Sequence, residues 1–207
     1  MGNPMMNKSG AALELYLIRH TRPDVPEGLC YGRTDVPLDE VDLQRGIERI
    51  AQHLPPGMPF HSSPSSRCAR LQAALAGTTG GTVLAPDLRL MELDFGAWEG
   101  QLWSALPRHE TERWTRDIVD EAPPGGERLR DMVERVEAFA MDLRRAAAEE
   151  GAGKVGIVGH AGSLKVLLLA ALNLPPSAYG SIDKQQGRVS RIDISSSGAM
   201  RVMFVNR

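Results

Sequence analysis

Short apolar runs alternate with longer amphipathic stretches along most of this chain, and that alternation limits its fold more than any other feature. Runs with the length of a buried strand cover 13–18, 58–62, 82–85 and 155–158. Helical spacing of apolar residues is found in 39–54, 64–76, 127–150 and 161–172. Because parallel strands require crossover connections, this order predicts an α/β fold, a three-layer α/β/α sandwich with a mostly parallel central sheet.

The two ends of the chain complete this picture. Residues 1–12 are predicted to be a flexible tail, and 13–207 to form one domain, which suits a chain of 207 residues. Near the carboxyl end, 188–195 and 200–205 alternate in polarity and predict a closing hairpin around 196–198. Residues 88–98 favour an irregular or β segment, and 100–119 two short helices.

Composition excludes several classes of protein. With 24 basic against 26 acidic side chains, the net charge of −2 gives no sign of a nucleic-acid partner. No window approaches the roughly 18 consecutive apolar residues of a membrane helix, and the first dozen residues lack the apolar core of a secretory signal. We therefore expect a cytoplasmic protein without a membrane or nucleic-acid partner. The sequence carries no signal for an oligomeric state.

Chemistry-bearing residues follow two of the predicted strands directly. Arg19 and His20 come after the first strand, and His160 after the strand at 155–158. In open parallel sheets, ligands bind beyond the carboxyl ends of the strands. These side chains are therefore the candidates for a functional site.

Four fragments of the sequence together resemble the histidine phosphatase superfamily, also called the phosphoglycerate-mutase-like family. They occur in the order that the family has, and the resemblance extends over roughly 13–205. The fragments are Leu17-Ile-Arg-His-Thr-Arg-Pro23, Ser62-Ser-Pro-Ser-Ser-Arg-Cys68, Leu90-Met-Glu-Leu-Asp-Phe-Gly-Ala-Trp-Glu-Gly100 and Val158-Gly-His-Ala-Gly-Ser163. The resemblance implies a phosphoglycerate-mutase-like fold and a metal-independent phosphomonoester hydrolase that forms a phosphohistidine.

The same resemblance implies a role for each of five residues. His20 is expected to be the nucleophile, with its second ring nitrogen bound to a backbone carbonyl so that one lone pair stays bare. Arg19 and Arg67 are expected to bind the phosphoryl oxygens with their planar donors. Glu92 is expected to act as general acid and then as general base.

His160 is the fifth of these residues and is expected to donate to a phosphoryl oxygen. The backbone N–H groups of Ala161 and Gly162 are expected to help, because a helix N-terminus favours anions. Arg22, Tyr31, Arg33 and Glu127 lie in loops that border the pocket in relatives, and Arg22 and Tyr31 are expected to contact the substrate. A solvated surface position accounts equally well for these four.

Within the superfamily, the sequence resembles the α-ribazole-phosphatase-like branch. Thr21, Pro23 and the runs 28–38, 66–68 and 123–127 carry this resemblance. It implies a small phosphorylated metabolite as substrate, α-ribazole 5′-phosphate or a related precursor in cobalamin biosynthesis, with inorganic phosphate as product and no cofactor.

Other interpretations of the same residues stay open. A phosphoglycerate mutase of this fold would return the phosphoryl group to its product, although mutases of this family carry Gly after the Arg-His pair, where this chain has Thr21. A non-catalytic module that binds phosphate ligands is the third possibility, but it would have no use for Glu92. No metal is expected, because His20, Glu92 and His160 lie far apart in sequence and two arginines would repel a cation. Cys30 and Cys68 are interpreted as packing residues.

Overall fold

A six-stranded sheet with helices on both faces organises the computed structural model, which describes residues 11–150 and 153–207. The strands are β1 (Ala11–Arg19), β2 (Pro59–Ser62), β3 (Thr82–Val83), β4 (Gly153–Gly159), β5 (Val189–Ser195) and β6 (Met200–Phe204). The helices are α1 (Glu40–Ala51), α2 (Ser66–Thr79), α3 (Arg108–Arg116), α4 (Leu129–Glu150) and α5 (Ala161–Ala171).

The order of strands across the sheet is β3-β2-β4-β1-β5-β6. β1 pairs in parallel with β4, β4 with β2 and β2 with β3, whereas β5 is antiparallel to both of its neighbours. The predicted mostly parallel α/β sheet is thus confirmed. Arg19 at the end of β1 pairs with Gly159 at the end of β4, so His20 and His160 leave the sheet side by side.

Alternate side chains of β1 enter the two apolar layers that flank the sheet. Leu13, Leu15 and Leu17 pack into a cluster with residues of α4 and α5. Tyr16 and Ile18 pack into a second cluster with residues of α1 and α2. Because successive side chains of a strand point to opposite faces, a run that is apolar at nearly every position is what a strand covered on both sides requires. The predicted three layers are present.

Several element boundaries differ from the predictions. β1 begins at Ala11, two residues inside the predicted tail, of which residues 1–10 lie outside the described part of the chain. β3 covers only Thr82–Val83. Of the two alternatives predicted for 88–98, the irregular one is present, with two 3-10 turns and no strand. A further 3-10 turn, Pro176–Ser181, was not predicted. The short helices expected in 100–119 are present as the turn Trp103–Ala105 and α3.

No helix within residues 11–150 and 153–207 combines the length and the apolar character that crossing a membrane would require.

Candidate functional site

Three of the predicted residues meet at the carboxyl ends of β1 and β4. The rings of His20 and His160 lie with their centroids 5.3 Å apart, and the Arg67 guanidinium nitrogen Nη2 lies 3.2 Å from His160 Nδ1. All three side chains are almost completely buried. Together with Arg19 they form what we call the His20 pocket.

The tautomer of His20 is fixed by its main chain. Its Nδ1 lies 2.7 Å from the Thr21 carbonyl oxygen. Since a carbonyl only accepts, Nδ1 carries the proton and Nε2 keeps a free lone pair. Burial, and then the charges of Arg67 and Arg19, hold the pKa of His20 well below its usual range. The predicted hydrogen bond to a backbone carbonyl is confirmed, and the ring is neutral at physiological pH.

Arg67 reaches the His20 pocket from the first turn of α2, which begins where the chain leaves β2. Its Nη2 donates to the Gly32 carbonyl oxygen at 2.7 Å and its Nη1 to the Thr34 carbonyl oxygen at 3.0 Å. Gly32 has a φ of +37°, and a Cβ there would overlap the Glu99 carboxylate. A glycine is therefore required where this loop approaches the guanidinium.

Arg19 is held by the loop that precedes β5. Its guanidinium donates to the Lys184 carbonyl oxygen, and the Gly187 N–H donates to the carbonyl oxygens of both Arg19 and His20. Lys184 is itself fully buried. Its ammonium donates to the Arg188 carbonyl oxygen at 2.8 Å. Burial and the Arg19 charge lower the pKa of Lys184 to about 7.

Both arginines retain a buried donor with no acceptor in the described part of the chain. These donors are Arg19 Nε and Arg67 Nε. Buried polar groups are nearly always paired in native proteins. Two unpaired guanidinium N–H groups beside a neutral histidine therefore suit an anionic ligand.

His160 uses both of its ring nitrogens within the protein. Its Nδ1 accepts from Arg67, which can only donate, so the neutral ring carries its proton on Nε2. That nitrogen lies 2.8 Å from Ser63 Oγ. Burial, followed by the neighbouring His20 and Arg67, lowers the pKa of His160 well below its usual range. Donation to a ligand oxygen would require the ring to exchange the Ser63 contact for the ligand.

Glu92 lies beside the first turn of α5. Its Oε2 accepts from the Gly162 N–H at 3.1 Å, and its Oε1 from the Leu93 N–H at 2.9 Å. A Cβ on Gly162 would overlap Glu92 Oε1 and would lie 3.0 Å from the Tyr179 hydroxyl. The expectation that the Gly162 N–H would serve a ligand is therefore wrong here, because this N–H already binds the carboxylate. Ala161 is the first residue of α5.

Tyr31 and Arg22 lie at different distances from the His20 pocket. The Tyr31 ring lies 6.4 Å from that of His20, and the Arg67 guanidinium carbon 5.2 Å from the Tyr31 centroid. Arg22 is largely exposed and donates to Asp39 Oδ2 at 2.8 Å. Both residues line one cleft of about 580 Å³, formed by 22–29, Tyr31, Asp39 and Gln186. Tyr31 thus lies between the cleft and the His20 pocket, whereas Arg22 lies only in the cleft.

Three residues contact the site although no pattern in the sequence marks them. Ser63 and Lys184 hold His160 and Arg19, and Tyr179 packs near the Glu92 carboxylate. Ser63 belongs to a fragment that we singled out, but no pattern marks its hydroxyl. Lys184 is a lysine in a polar loop, for which the sequence predicts exposure.

Two further predictions bear on the chemistry of the site: the cysteines are packing residues, and no metal is bound. Cys30 and Cys68 are free and buried, and burial raises the pKa of each thiol to about 12. Both are therefore protonated thiols, in agreement with a packing role. Within residues 11–150 and 153–207, no three His, Cys, Asp or Glu side chains gather in a group that would hold a metal ion.

Comparison with known proteins places the chain in a family. The family model of the histidine phosphatase superfamily (branch 1) matches residues 15–206. The chain therefore belongs to this superfamily, as its motifs predict.

Two curated relatives are similar to this chain in sequence, and one solved structure is similar in fold. The bifunctional protein Rv2228c of Mycobacterium tuberculosis is 30% identical over 205 residues, which are 96% of this chain but only 55% of that protein. A 2,3-bisphosphoglycerate-dependent phosphoglycerate mutase of Beijerinckia indica is 28% identical over 84% of this chain and 87% of the mutase. The α-ribazole phosphatase from Shigella flexneri has a similar fold, with a TM-score of 0.81 and 22% identity over 94% of this chain and 96% of that one.

Proposed function

We propose that the chain hydrolyses phosphomonoesters without a metal, through a phosphohistidine formed on His20. One observation carries the proposal. His20 has a bare Nε2 because its Nδ1 is bound to a carbonyl, and its neutral form is enforced by burial and by the charges of Arg67 and Arg19. A neutral imidazole next to fixed positive charge is what attack on a phosphate dianion needs.

In the first half-reaction, His20 Nε2 attacks phosphorus and the bond from phosphorus to the ester oxygen breaks. Arg19 and Arg67 face the phosphoryl oxygens, on which the negative charge is concentrated. His160 and the Ala161 N–H at the start of α5 add donors. The leaving alkoxide takes its proton from Glu92.

In the second half-reaction, water attacks the phosphorus of the phosphohistidine and the bond from nitrogen to phosphorus breaks. Glu92, now ionised, takes a proton from that water. The Gly162 N–H that binds Glu92 Oε2 suits this ionised state. Inorganic phosphate leaves, and His20 regains its bare nitrogen.

The substrate that we propose is a small phosphorylated metabolite, with α-ribazole 5′-phosphate of cobalamin biosynthesis as the first to test. The sequence motifs and the similar fold of the Shigella phosphatase support this choice. The cleft between Arg22 and Tyr31 would hold the leaving group, since Tyr31 lines this cleft and also lies beside the His20 ring. Arg22 and Tyr31 are then substrate-binding residues.

A phosphoglycerate mutase is the second candidate, because a named mutase aligns over most of this chain. The two activities share the phosphohistidine but differ in whether water reaches it. Isomerisation of 3-phosphoglycerate faster than its hydrolysis would favour the mutase.

The decisive experiment combines turnover with trapping of the intermediate. Phosphate release is measured with EDTA present across α-ribazole 5′-phosphate, phosphoglycerates and p-nitrophenyl phosphate. Acid-labile phosphate on the protein is then trapped from labelled substrate in the wild type, in His20→Ala and in the control His53→Ala, whose ring is exposed.

Release that survives EDTA, and a label lost only in His20→Ala, are expected. Activity that disappears with EDTA would contradict the metal-free mechanism. A chain that binds phosphate and releases none from any ester would be the non-catalytic module instead.

A further inference from the structure

The main chain that carries Glu92 has little regular structure of its own. We call residues 87–95 the Glu92 segment; only its 3-10 turn, Leu88–Leu90, is regular, and 91–95 belong to no helix or strand. Buried backbone carbonyl groups need hydrogen-bond donors whether or not they lie in a sheet. Here a side chain from α4 supplies them.

That side chain is Arg135, and all five of its N–H groups have an acceptor. Nη1 donates to the carbonyl oxygens of Arg89 at 2.7 Å and Met91 at 2.8 Å, and Nη2 to that of Glu92 at 3.1 Å. The remaining two donors bind the Glu127 carboxylate at 2.7 and 2.9 Å. Only an arginine offers five donors in one plane.

Glu127 connects this arginine to a second one. Its Oε2 lies 3.1 Å from Arg33 Nη2, and Arg33 Nε donates to the Glu92 carbonyl oxygen at 3.4 Å. The Glu127 N–H donates to the Asp94 carbonyl oxygen at 2.9 Å. Arg33 Nη1 also lies 3.4 Å from Asp94 Oδ2. Three ion pairs thus join Arg33, Asp94, Glu127 and Arg135, whose charges sum to zero, and we call these four residues the Arg135 cluster.

Burial distinguishes the pair between Arg135 and Glu127 from an exposed ion pair of α4. The side chains of Arg135 and Glu127 are only 16% and 12% exposed. By contrast, the pair between Arg130 and Asp120, from the same helix, is about half exposed on each side. Buried charges must be fully hydrogen-bonded to be tolerated, and such a network has one preferred geometry.

We propose that Arg135 and Glu127 are positioning residues, which hold the Glu92 main chain where its carboxyl can deliver a proton to the leaving oxygen. This inference rests on the proposed function, and specifically on Glu92 as general acid. A general acid must lie within about 2.6–3.2 Å of the oxygen that it protonates. A displacement of about 1 Å already costs on the order of 100-fold in rate.

The test uses a readout that loss of stability alone does not change. kcat/KM is measured for p-nitrophenyl phosphate, whose phenol leaves readily, and for ribose 5-phosphate, whose alcohol needs a proton. Wild type, Arg135→Gln, Arg135→Lys, Arg33→Gln and the matched control Arg130→Gln are compared, with the melting temperature of each.

In Arg135→Gln we expect the ratio of the two kcat/KM values, ribose 5-phosphate over p-nitrophenyl phosphate, to fall at least about tenfold. Arg135→Lys should not restore it, because an ammonium has three donors and cannot span three carbonyl groups and a carboxylate. Arg33→Gln, at a partly exposed residue, should lower the ratio by a smaller factor and secures the test if Arg135→Gln does not fold. Arg130→Gln should leave the ratio at the wild-type value.

Two outcomes overturn the inference, and a third overturns its basis. Equal slowing of both substrates in the folded Arg135 and Arg33 variants means that the cluster serves stability alone, as does rescue by Arg135→Lys. Glu92→Gln, measured in parallel, distinguishes failure of the positioning role from failure of the assignment of Glu92 as general acid. If Glu92→Gln lowers the ratio and the cluster variants do not, only the positioning role is wrong; if Glu92→Gln also leaves it unchanged, the acid assignment itself fails.

Discussion

The His20 pocket and the Glu92 segment have different roles in the proposed reaction, and they are built in different ways. In the pocket, His20 and His160 leave the ends of paired strands and Arg67 begins a helix. In the Glu92 segment, side chains from elsewhere replace a sheet as hydrogen-bond donors. The positive charge of the pocket is thus carried by residues at the ends of strands and at the start of a helix, whereas the proposed proton donor lies on an irregular segment held by ion pairs.

This difference predicts that substitutions in the pocket affect all substrates, whereas substitutions near Glu92 affect substrates selectively. The reason is that every phosphoryl group carries the same charge, but leaving groups differ in their need for a proton.

The largest effect is expected for Arg67→Met. An arginine directed at the transition-state charge contributes on the order of 10³ to 10⁵ in rate, and this loss should be similar for ribose 5-phosphate and p-nitrophenyl phosphate. Arg70→Met is the matched control, since Arg70 lies on the same helix in an exposed pair with Glu40. The measurement is kcat/KM for both esters. A loss confined to one ester would contradict the expected difference between the pocket and the Glu92 segment.

Glu92→Gln should slow ribose 5-phosphate by on the order of 10² to 10⁴, the usual contribution of a general acid. The amide keeps the shape of the side chain but has no proton to release. p-Nitrophenyl phosphate should be affected far less in kcat/KM, which reports phosphorylation of His20. Equal losses for the two esters would count against Glu92 as the acid.

Gly162→Ala tests the contact between the two regions directly. The added methyl group would overlap Glu92 Oε1, the end of a flexible side chain, so the carboxylate should move while the fold persists. We expect a loss on the order of 10- to 100-fold for ribose 5-phosphate and a smaller one for p-nitrophenyl phosphate. Gly77→Ala, where a Cβ meets nothing within 4 Å, is the control. An unchanged ratio with an unchanged melting temperature would mean that the carboxylate position is unimportant.

The contrast also explains what could be predicted from the sequence. His20 and His160 are recognisable because each directly follows an apolar strand, and topology brings such positions together. Glu92 has no such placement and was identified only through the motif that contains it. Arg135 lies 43 residues from Glu92, on a helix whose polar positions the sequence assigns to solvent. Nothing local distinguishes it from Arg130, because burial by a distant segment leaves no periodic signal.

Lys184 illustrates the same limit within the pocket. Its loop is polar, and a lysine there is expected to be exposed, yet its side chain is fully buried beside Arg19. The backbone groups of 184–188 that bind Arg19 and His20 depend on chain path rather than residue type. Such contacts become visible only in three dimensions.

The smallest effect concerns stability as a function of pH, and it separates the two regions by the pH at which each responds. His20 and His160 have pKa values well below 6.5 in the fold, so below pH 6.5 the unfolded chain binds protons that the native chain refuses. Each should therefore reduce the free energy of unfolding by about 1.4 kcal/mol per pH unit as the pH falls.

In the Glu92 segment the response starts at lower pH. Hydrogen bonds and charge from Arg89 lower the pKa of Asp87 below its usual 3.8, so its contribution is present above that pH and is lost only below it. Urea unfolding between about pH 7 and pH 5 should therefore report the pocket together with His61, whose pKa is also lowered by burial. His20→Asn should flatten this slope by about 1.4 kcal/mol per pH unit, and His53→Asn should not. A slope that His20→Asn leaves unchanged would mean that His20 takes up a proton in the native state, which removes the bare nitrogen on which attack depends.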